Sequence, residues 1–204
     1  HFMAETAAIL SRSDQTIILP NLAAGCSMAD MAHIDDVLDC WDDLRNILND
    51  EEVTPITYMN STASIKALCG RNNGIVCTSS NAPAAFEWAL QRRERILFMP
   101  DQHLGRNTAL KLGIGLDKML VWNPFKPLGG HTDYELRKAK VILWQGHCSV
   151  HTRFSTEQIE EARRRHPQVQ VIVHPECFME VVDSSDLVGS TDFIIKAVNE
   201  SAPG

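Results

Sequence analysis

The sequence is short of the motifs that would declare a chemistry directly. Its six cysteines include no C-x-x-C pair, so zinc ribbons and thioredoxin-like redox motifs have no support. There is no G-x-G-x-x-G and no Walker loop, which leaves nucleotide binding without a signature. No apolar run approaches the roughly 20 residues that a bilayer-spanning helix requires. The opening His1-Phe2-Met3-Ala4-Glu5 lacks the basic-then-apolar order of a signal peptide. Basic residues are outnumbered, 19 Lys and Arg against 26 Asp and Glu, and the formal net charge of −7 speaks against a nucleic-acid-binding surface. Neither nucleic acid nor membrane is expected as a partner. The cysteines are too sparse in 204 residues for a disulfide scaffold, yet numerous for a cytosolic chain. Taken singly, each of Cys26, Cys40, Cys69, Cys77, Cys148 and Cys177 reads as a small buried hydrophobe, with ligation by widely separated thiols left open.

What is present is an ordinary globular balance, 44% hydrophobic and 22% charged residues. Apolar, β-rich runs at 16–20, 53–58, 74–77, 96–100, 119–122, 141–145 and 169–174 alternate with helical patterns at 35–48, 82–93, 132–140 and 155–166. Strands followed by helices of this length predict parallel βαβ units, hence an α/β fold. Residues 113–130, rich in Gly and Pro, read partly as an extended loop. Several strands end in small, polar or ligand-type residues: Gly25-Cys26-Ser27, Tyr58-Met59-Asn60-Ser61, Cys77-Thr78-Ser79-Ser80, Gly146-His147-Cys148 and His174-Pro175-Glu176. In open α/β sheets ligands sit outside the carboxyl ends of the strands, so these motifs fall where a site belongs.

Each motif has a chemical reading beside a plainer one. Cys26 follows an apolar run and a turn and precedes a helix expected near Ser27. Backbone N–H groups at such a helix start would lower the pKa of the thiol. Cys148 follows the run 141–145 in the same way, and two such thiols could converge on one iron–sulfur or zinc centre. His174 and Glu176, with Pro175 promoting departure from strand geometry, could do acid–base work, or could simply be polar residues of a turn. His151 reads either as a site residue or as a surface or capping His. Thr78-Ser79-Ser80-Asn81 and Gly189-Ser190-Thr191 each precede a helix, the second over 192–198, and offer hydroxyls and free N–H groups to an anion. Either alone is an N-cap, but two suggest a substrate with more than one anionic group. Alternation places Tyr58 and Asn60 on one side of their strand, where phenol and amide could orient a polar ligand. The plainer reading is a strand Tyr with a turn Asn.

Together these residues resemble a known family, the quinolinate synthases, along essentially the whole chain. The matching stretches, in the family's order, are HFMAETA at 1–7, LPNLAAGCSMAD at 19–30, YMNSTASIKA at 58–67, VCTSSNA at 76–82, PDQHLGRN at 100–107, WQGHCSVH at 144–151, HPEC at 174–177 and GST at 189–191.

The resemblance implies three-layer α/β/α domains with parallel sheets, arranged by pseudo-threefold symmetry around a central cluster. Residues 1–15 would be the tail of a first domain, 16–140 a second and 141–204 a third, incomplete one. It implies condensation of iminoaspartate with dihydroxyacetone phosphate to quinolinate, with loss of phosphate and water, in cytoplasmic de novo NAD biosynthesis. A [4Fe–4S] cluster would be held by three cysteines and would act through its open iron as a Lewis acid. Cys26 and Cys148 match two of these ligands. Tyr58, Glu176, His174 and His151 match catalytic-pocket residues, with Tyr58 in proton transfers and Glu176 as general base. Asn60, Ser79, Ser190 and Thr191 match substrate-binding positions. An enzyme supplying iminoaspartate is an expected partner. Two departures stand out: the third cluster cysteine and an N-terminal segment with a catalytic His and Tyr lie outside this chain, which implies that residues 1–204 alone would not turn over. Residues 113–137 resemble an insertion relative to shorter members. The competing expectations are an inactive truncated cluster- or metal-binding fragment of the same fold, and a small-molecule-binding α/β domain with structural cysteines.

Overall fold

A computed structural model describes residues 2–49 and 51–201. His1, which opens the HFMAETA stretch, and residues 202–204 of the expected third domain lie outside the described residues. The chain begins with helix α1 (Phe2–Leu10) and, after irregular chain, α2 (Ile34–Ile47). Alternation then sets in: β1 (Val53–Tyr58), α3 (Ala63–Arg71), β2 (Ile75–Cys77), α4 (Ala82–Leu90), β3 (Arg95–Met99), α5 (Gln102–Lys111), β4 (Met119–Trp122), α6 (Asp133–Lys138) and β5 (Val141–Trp144). A smaller part follows, with α7 (Thr156–Arg165), β6 (Ile172–Val173), α8 (Met179–Asp183), β7 (Leu187–Val188) and α9 (Thr191–Glu200).

β1 to β5 form one parallel sheet in the order β2-β1-β3-β5-β4, and β6 pairs β7 in a separate parallel pair. The sheet is covered on both faces, which is why its inner strands are buried on both sides rather than alternating. All six residues of β1 and all four of β5 are buried. Leu97, Met99, Ile142 and Trp144 point to one face, against Trp41 and Leu44 of α2 and Leu136 of α6. Ile96, Phe98, Val141 and Leu143 point to the other, against Phe86 of α4 and Leu104 of α5. The result is the three-layer α/β architecture expected from the alternation. Strand β5, which the sequence reading assigned to the third domain, pairs with β3 on one side and β4 on the other, inside the first sheet. A distinct apolar cluster of Ile159, Cys177 and Val181 serves the smaller part.

One predicted strand does not form. Residues 16–20 are irregular, and Ile18 is 79% exposed. Their β-branched composition favours a pleated surface only where a neighbouring strand and a core face exist, and here neither is present. The segment 113–130 is less open than its composition suggests. It contains β4 and two short 3-10 turns, and Leu128 and Gly129 adopt positive φ of 49° and 65°. A Cβ on Gly129 would stand 2.5 Å from the Trp122 ring, so the turn depends on glycine there.

Candidate active site

The carboxyl ends of β1, β2, β3 and β5 open toward the smaller part, which brings His174 and Glu176 to the same place. β1 delivers Tyr58, buried at 8% exposure. Its exit is fixed by hydroxyls: Thr57 Oγ1 donates to Ser61 Oγ at 2.9 Å, and Ser61 Oγ donates to the Tyr58 carbonyl at 2.8 Å. Lys66 on α3 donates to the Met59 carbonyl at 2.8 Å and to that of Ser61 at 2.5 Å, gripping the loop on either side of Asn60. β2 delivers Ser79, in a turn where the Thr78 N–H donates to Asn81 Oδ1 at 2.7 Å. β5 delivers Cys148 through Gly146, whose Cβ would lie 2.3 Å from the Pro100 carbonyl. Only glycine allows that approach.

Glu176 is the centre of the cluster. It is 3% exposed, with His151 Nδ1 at 3.0 Å from Oε2 and His174 Nδ1 at 3.7 Å from Oε1. The His151 contact is short but falls outside hydrogen-bond geometry, and His151 Nδ1 has no other hydrogen-bond partner among the described residues. The two imidazoles stack with centroids 4.7 Å apart. Burial pushes the Glu176 carboxyl up, but His151, His174 and the Tyr58 hydroxyl together outweigh it and hold the group below its ordinary range. His174 is shifted down, first by burial and also by His151, against the opposing pull of Glu176. Tyr58 lies beside Glu176 and Ser79. Burial, and then the Glu176 charge, hold its phenol protonated far above the usual range. The site thus pairs an ionised carboxylate with a phenol that keeps its proton.

Cys148 adjoins the same carboxylate. Its Sγ, one nitrogen of His151 and one oxygen of Glu176 lie within 4.8 Å of one another, close enough to hold a metal ion. All six cysteines are free thiols. Cys26 stands outside that trio, but its loop is tied to that of Cys148 by a 2.9 Å hydrogen bond between Ser27 Oγ and Ser149 Oγ. Cys26 and Cys148 are the two partly exposed cysteines. Cys40, Cys69, Cys77 and Cys177 are buried. Contrary to expectation, neither thiol opens an α-helix. Cys26 is followed by a 3-10 turn of three residues, Ala29–Met31, rather than by a helix. At Cys148 burial raises the thiol pKa and the Glu176 charge adds to it, against the N–H groups of His151 and Val150.

The two anion-type junctions face one cavity. A pocket of 390 Å³ between α4, α5 and the smaller part is lined by both Ser79 and Gly189. Ser190 is buried and caps α9, its Oγ accepting from the Phe193 N–H at 3.3 Å, whereas Thr191 is exposed. A larger cavity of 670 Å³ lies at the opposite ends of the strands, by Leu90, Leu112 and Lys140, away from this chemistry.

Two site residues escaped the sequence reading, although both lie in the PDQHLGRN stretch. Asp101 caps α5, its Oδ1 accepting from the N–H groups of His103 and Leu104 at 2.7 and 2.8 Å. Its Oδ2 is buried without a partner in hydrogen-bond geometry among the described residues, with the Cys148 N–H nearby. Burial, followed by the Glu176 charge, raises this carboxyl to about 7. Asn107, 8% exposed, donates to the carbonyls of Pro175 and Cys177 on either side of Glu176.

The family model described as Quinolinate synthetase A protein matches residues 1–204. The chain belongs to this family. Among its relatives, quinolinate synthase from Corynebacterium glutamicum is 60% identical over the whole chain and 52% of the relative's length. Quinolinate synthases from Acidobacterium capsulatum and Geobacillus thermodenitrificans are 57% and 53% identical, each with 55% of its length covered. The chain therefore spans about half the length of the curated relatives it matches. Among the described residues no helix is long and apolar enough to cross a membrane.

Proposed function

We propose that the protein to which this chain belongs is a quinolinate synthase, condensing iminoaspartate with dihydroxyacetone phosphate to quinolinate with loss of phosphate and water. The observation that carries this reading, beyond family membership, is the convergence of Tyr58, Cys148, His151, His174 and Glu176 at the strand ends. Glu176, ionised and backed by two imidazoles, accepts a proton from the substrate at a carboxylate oxygen. Tyr58, still protonated, donates from Oη toward a substrate oxygen. Ser79, Ser190 and the N–H groups beside them suit the phosphate and carboxylates of the two substrates, with Thr191 at the rim and Asn60 presenting its amide.

The donor set fits a [4Fe–4S] cluster: two free, partly exposed thiols on loops joined by Ser27 and Ser149, beside a polar pocket. Cys26 and Cys148 would be two of its ligands, with a third cysteine elsewhere in the full protein. When bound, the cluster would supply an iron with an open position that polarises a substrate oxygen. We place this chemistry in cytoplasmic NAD biosynthesis, in a protein of three such α/β units around a pseudo-threefold axis, with iminoaspartate delivered by the enzyme that forms it.

The test uses the full-length protein, loaded with iron and sulfide under anaerobic conditions and given dihydroxyacetone phosphate with iminoaspartate generated in place. Quinolinate and phosphate are expected in equal amounts. Glu176→Gln and Tyr58→Phe should each lower the rate by about 100-fold or more, the usual scale for a general acid or base. A loaded protein that releases no quinolinate would overturn the reading.

A further inference from the structure

Glu176 lies on a segment with little regular structure of its own to hold it. The strand before it, β6, has two residues, and the helix after it, α8, has five. The turn is closed by the Cys177 N–H donating to the His174 carbonyl at 3.0 Å. Beside the contacts of Glu176 itself with His151 and Tyr58, the backbone of this turn is tied to the main sheet by α5. Asn107 Nδ2 donates to the Pro175 carbonyl at 2.8 Å and to the Cys177 carbonyl at 2.9 Å, so one amide group holds the peptides on both sides of Glu176. The His103 ring packs edge-on against Phe178 at 4.7 Å, one turn earlier on the same helix.

α5 is itself firmly seated. Asp101 caps it, the Gln102 N–H donates to the Gly146 carbonyl at 2.9 Å, and Gly105 allows close approach to Phe98 and Leu143. The same helix start therefore braces the strand exit that leads to Cys148 and, further along, the turn that carries Glu176. Asn107 Oδ1 is buried without a hydrogen-bond partner among the described residues. An amide with an unpartnered buried acceptor is a costly choice for a packing residue. Its presence is accounted for by its two donated bonds.

We propose that Asn107 is a positioning residue that holds Glu176 within reach of His151 and Tyr58 by clamping the Pro175 and Cys177 carbonyls. This rests on the quinolinate synthase reading for its effect on rate. A misplacement of about 1 Å in a reacting group can cost about 100-fold, so a clamp on both flanking peptides bears directly on turnover.

The full-length, iron-loaded protein with Asn107→Leu or Asn107→Asp should keep its iron content while kcat falls by about tenfold or more, with a smaller change in KM. In a Glu176→Gln background, Asn107→Leu should cost less than about twofold, because the group it positions is already disabled. Equal losses in both backgrounds would show a general structural role and overturn the proposal, as would unchanged kcat. Amide hydrogen exchange on the metal-free full-length protein gives a second measurement, independent of turnover. Asn107→Leu should speed exchange over residues 174–181 by about tenfold while β5 keeps its protection. Unchanged exchange over 174–181 would overturn the clamp. Faster exchange in a protein whose wild type makes no quinolinate would leave the clamp standing and remove the assigned reaction.

Discussion

His103 shows how a single buried ring couples the site to pH. It is 6% exposed and packs on Phe178, beside the Glu176 turn. Burial, then the Arg106 and His147 charges, lower its pKa to about 4. The unfolded value is about 6.5, so between these limits the unfolded chain binds a proton that the folded chain refuses. Folded stability is therefore complete above about pH 6.5 and declines as pH falls toward 4. The loss should lower Tm by about 2–4 °C between pH 7 and pH 5. Thermal unfolding of His103→Leu should show a visibly flatter dependence over that range, and an unchanged slope would refute the assignment. The residues legible from sequence were those whose types declare a chemistry at a strand end: Tyr58, Cys148, His174 and Glu176. Asn107 and Lys66 were not, because they act through backbone carbonyls, and nothing in a sequence marks which carbonyls a distant amide or ammonium will meet.

At the scale of elements, the sheet was readable because burial on both faces leaves β-rich runs with few polar breaks, uninterrupted in β5 and broken only by the buried Thr54 and Thr57 in β1. The same rule misled at residues 16–20, where the run has no sheet edge beside it. α5 was missed for the opposite reason. Its buried face carries His103, Asn107 and Thr108 among apolar residues, so no clean stripe appears at helical spacing. Its seat can be tested with glycines. A Cβ at Gly105 would stand 2.5 Å from Leu143 and 2.6 Å from Phe98, both buried in the core, whereas at Gly70 of α3 nothing lies within 4 Å. Gly105→Ala should destabilise by about 1–3 kcal/mol through overpacking. Gly70→Ala should stabilise by roughly 0.5–1 kcal/mol, the backbone entropy that glycine costs a helix. Urea unfolding of both variants separates these signs. A stabilised Gly105→Ala would mean that α5 is not pressed onto β3 and β5.

Across the whole molecule, cysteine burial decides which thiols can serve a metal centre. Cys69 and Cys77 are pushed up to about 12 and Cys177 to about 11, in each case chiefly by burial, and Cys40 rises well above its ordinary value for the same reason. A ligating sulfur has to be reachable by the metal, and these four are buried inside packed layers. Cys26 and Cys148 are on loops that meet at Ser27 and Ser149, at the open ends of the strands. The division extends to iron content. Anaerobically loaded full-length protein should carry about four iron and four acid-labile sulfide per chain. Cys26→Ala and Cys148→Ala should each abolish most of it, because a cluster deprived of one of its few protein ligands is not retained. Cys177→Ala is the sharper control, since Cys177 neighbours the same pocket and follows Glu176 directly. Packed against the apolar cluster of Ile159 and Val181 at 1% exposure, it should lose some stability and no iron. Iron lost from Cys177→Ala but kept in Cys26→Ala would move the centre into the smaller part, around Cys148, His151 and Glu176. The Ser27–Ser149 contact would then be a loop junction without a metal to organise.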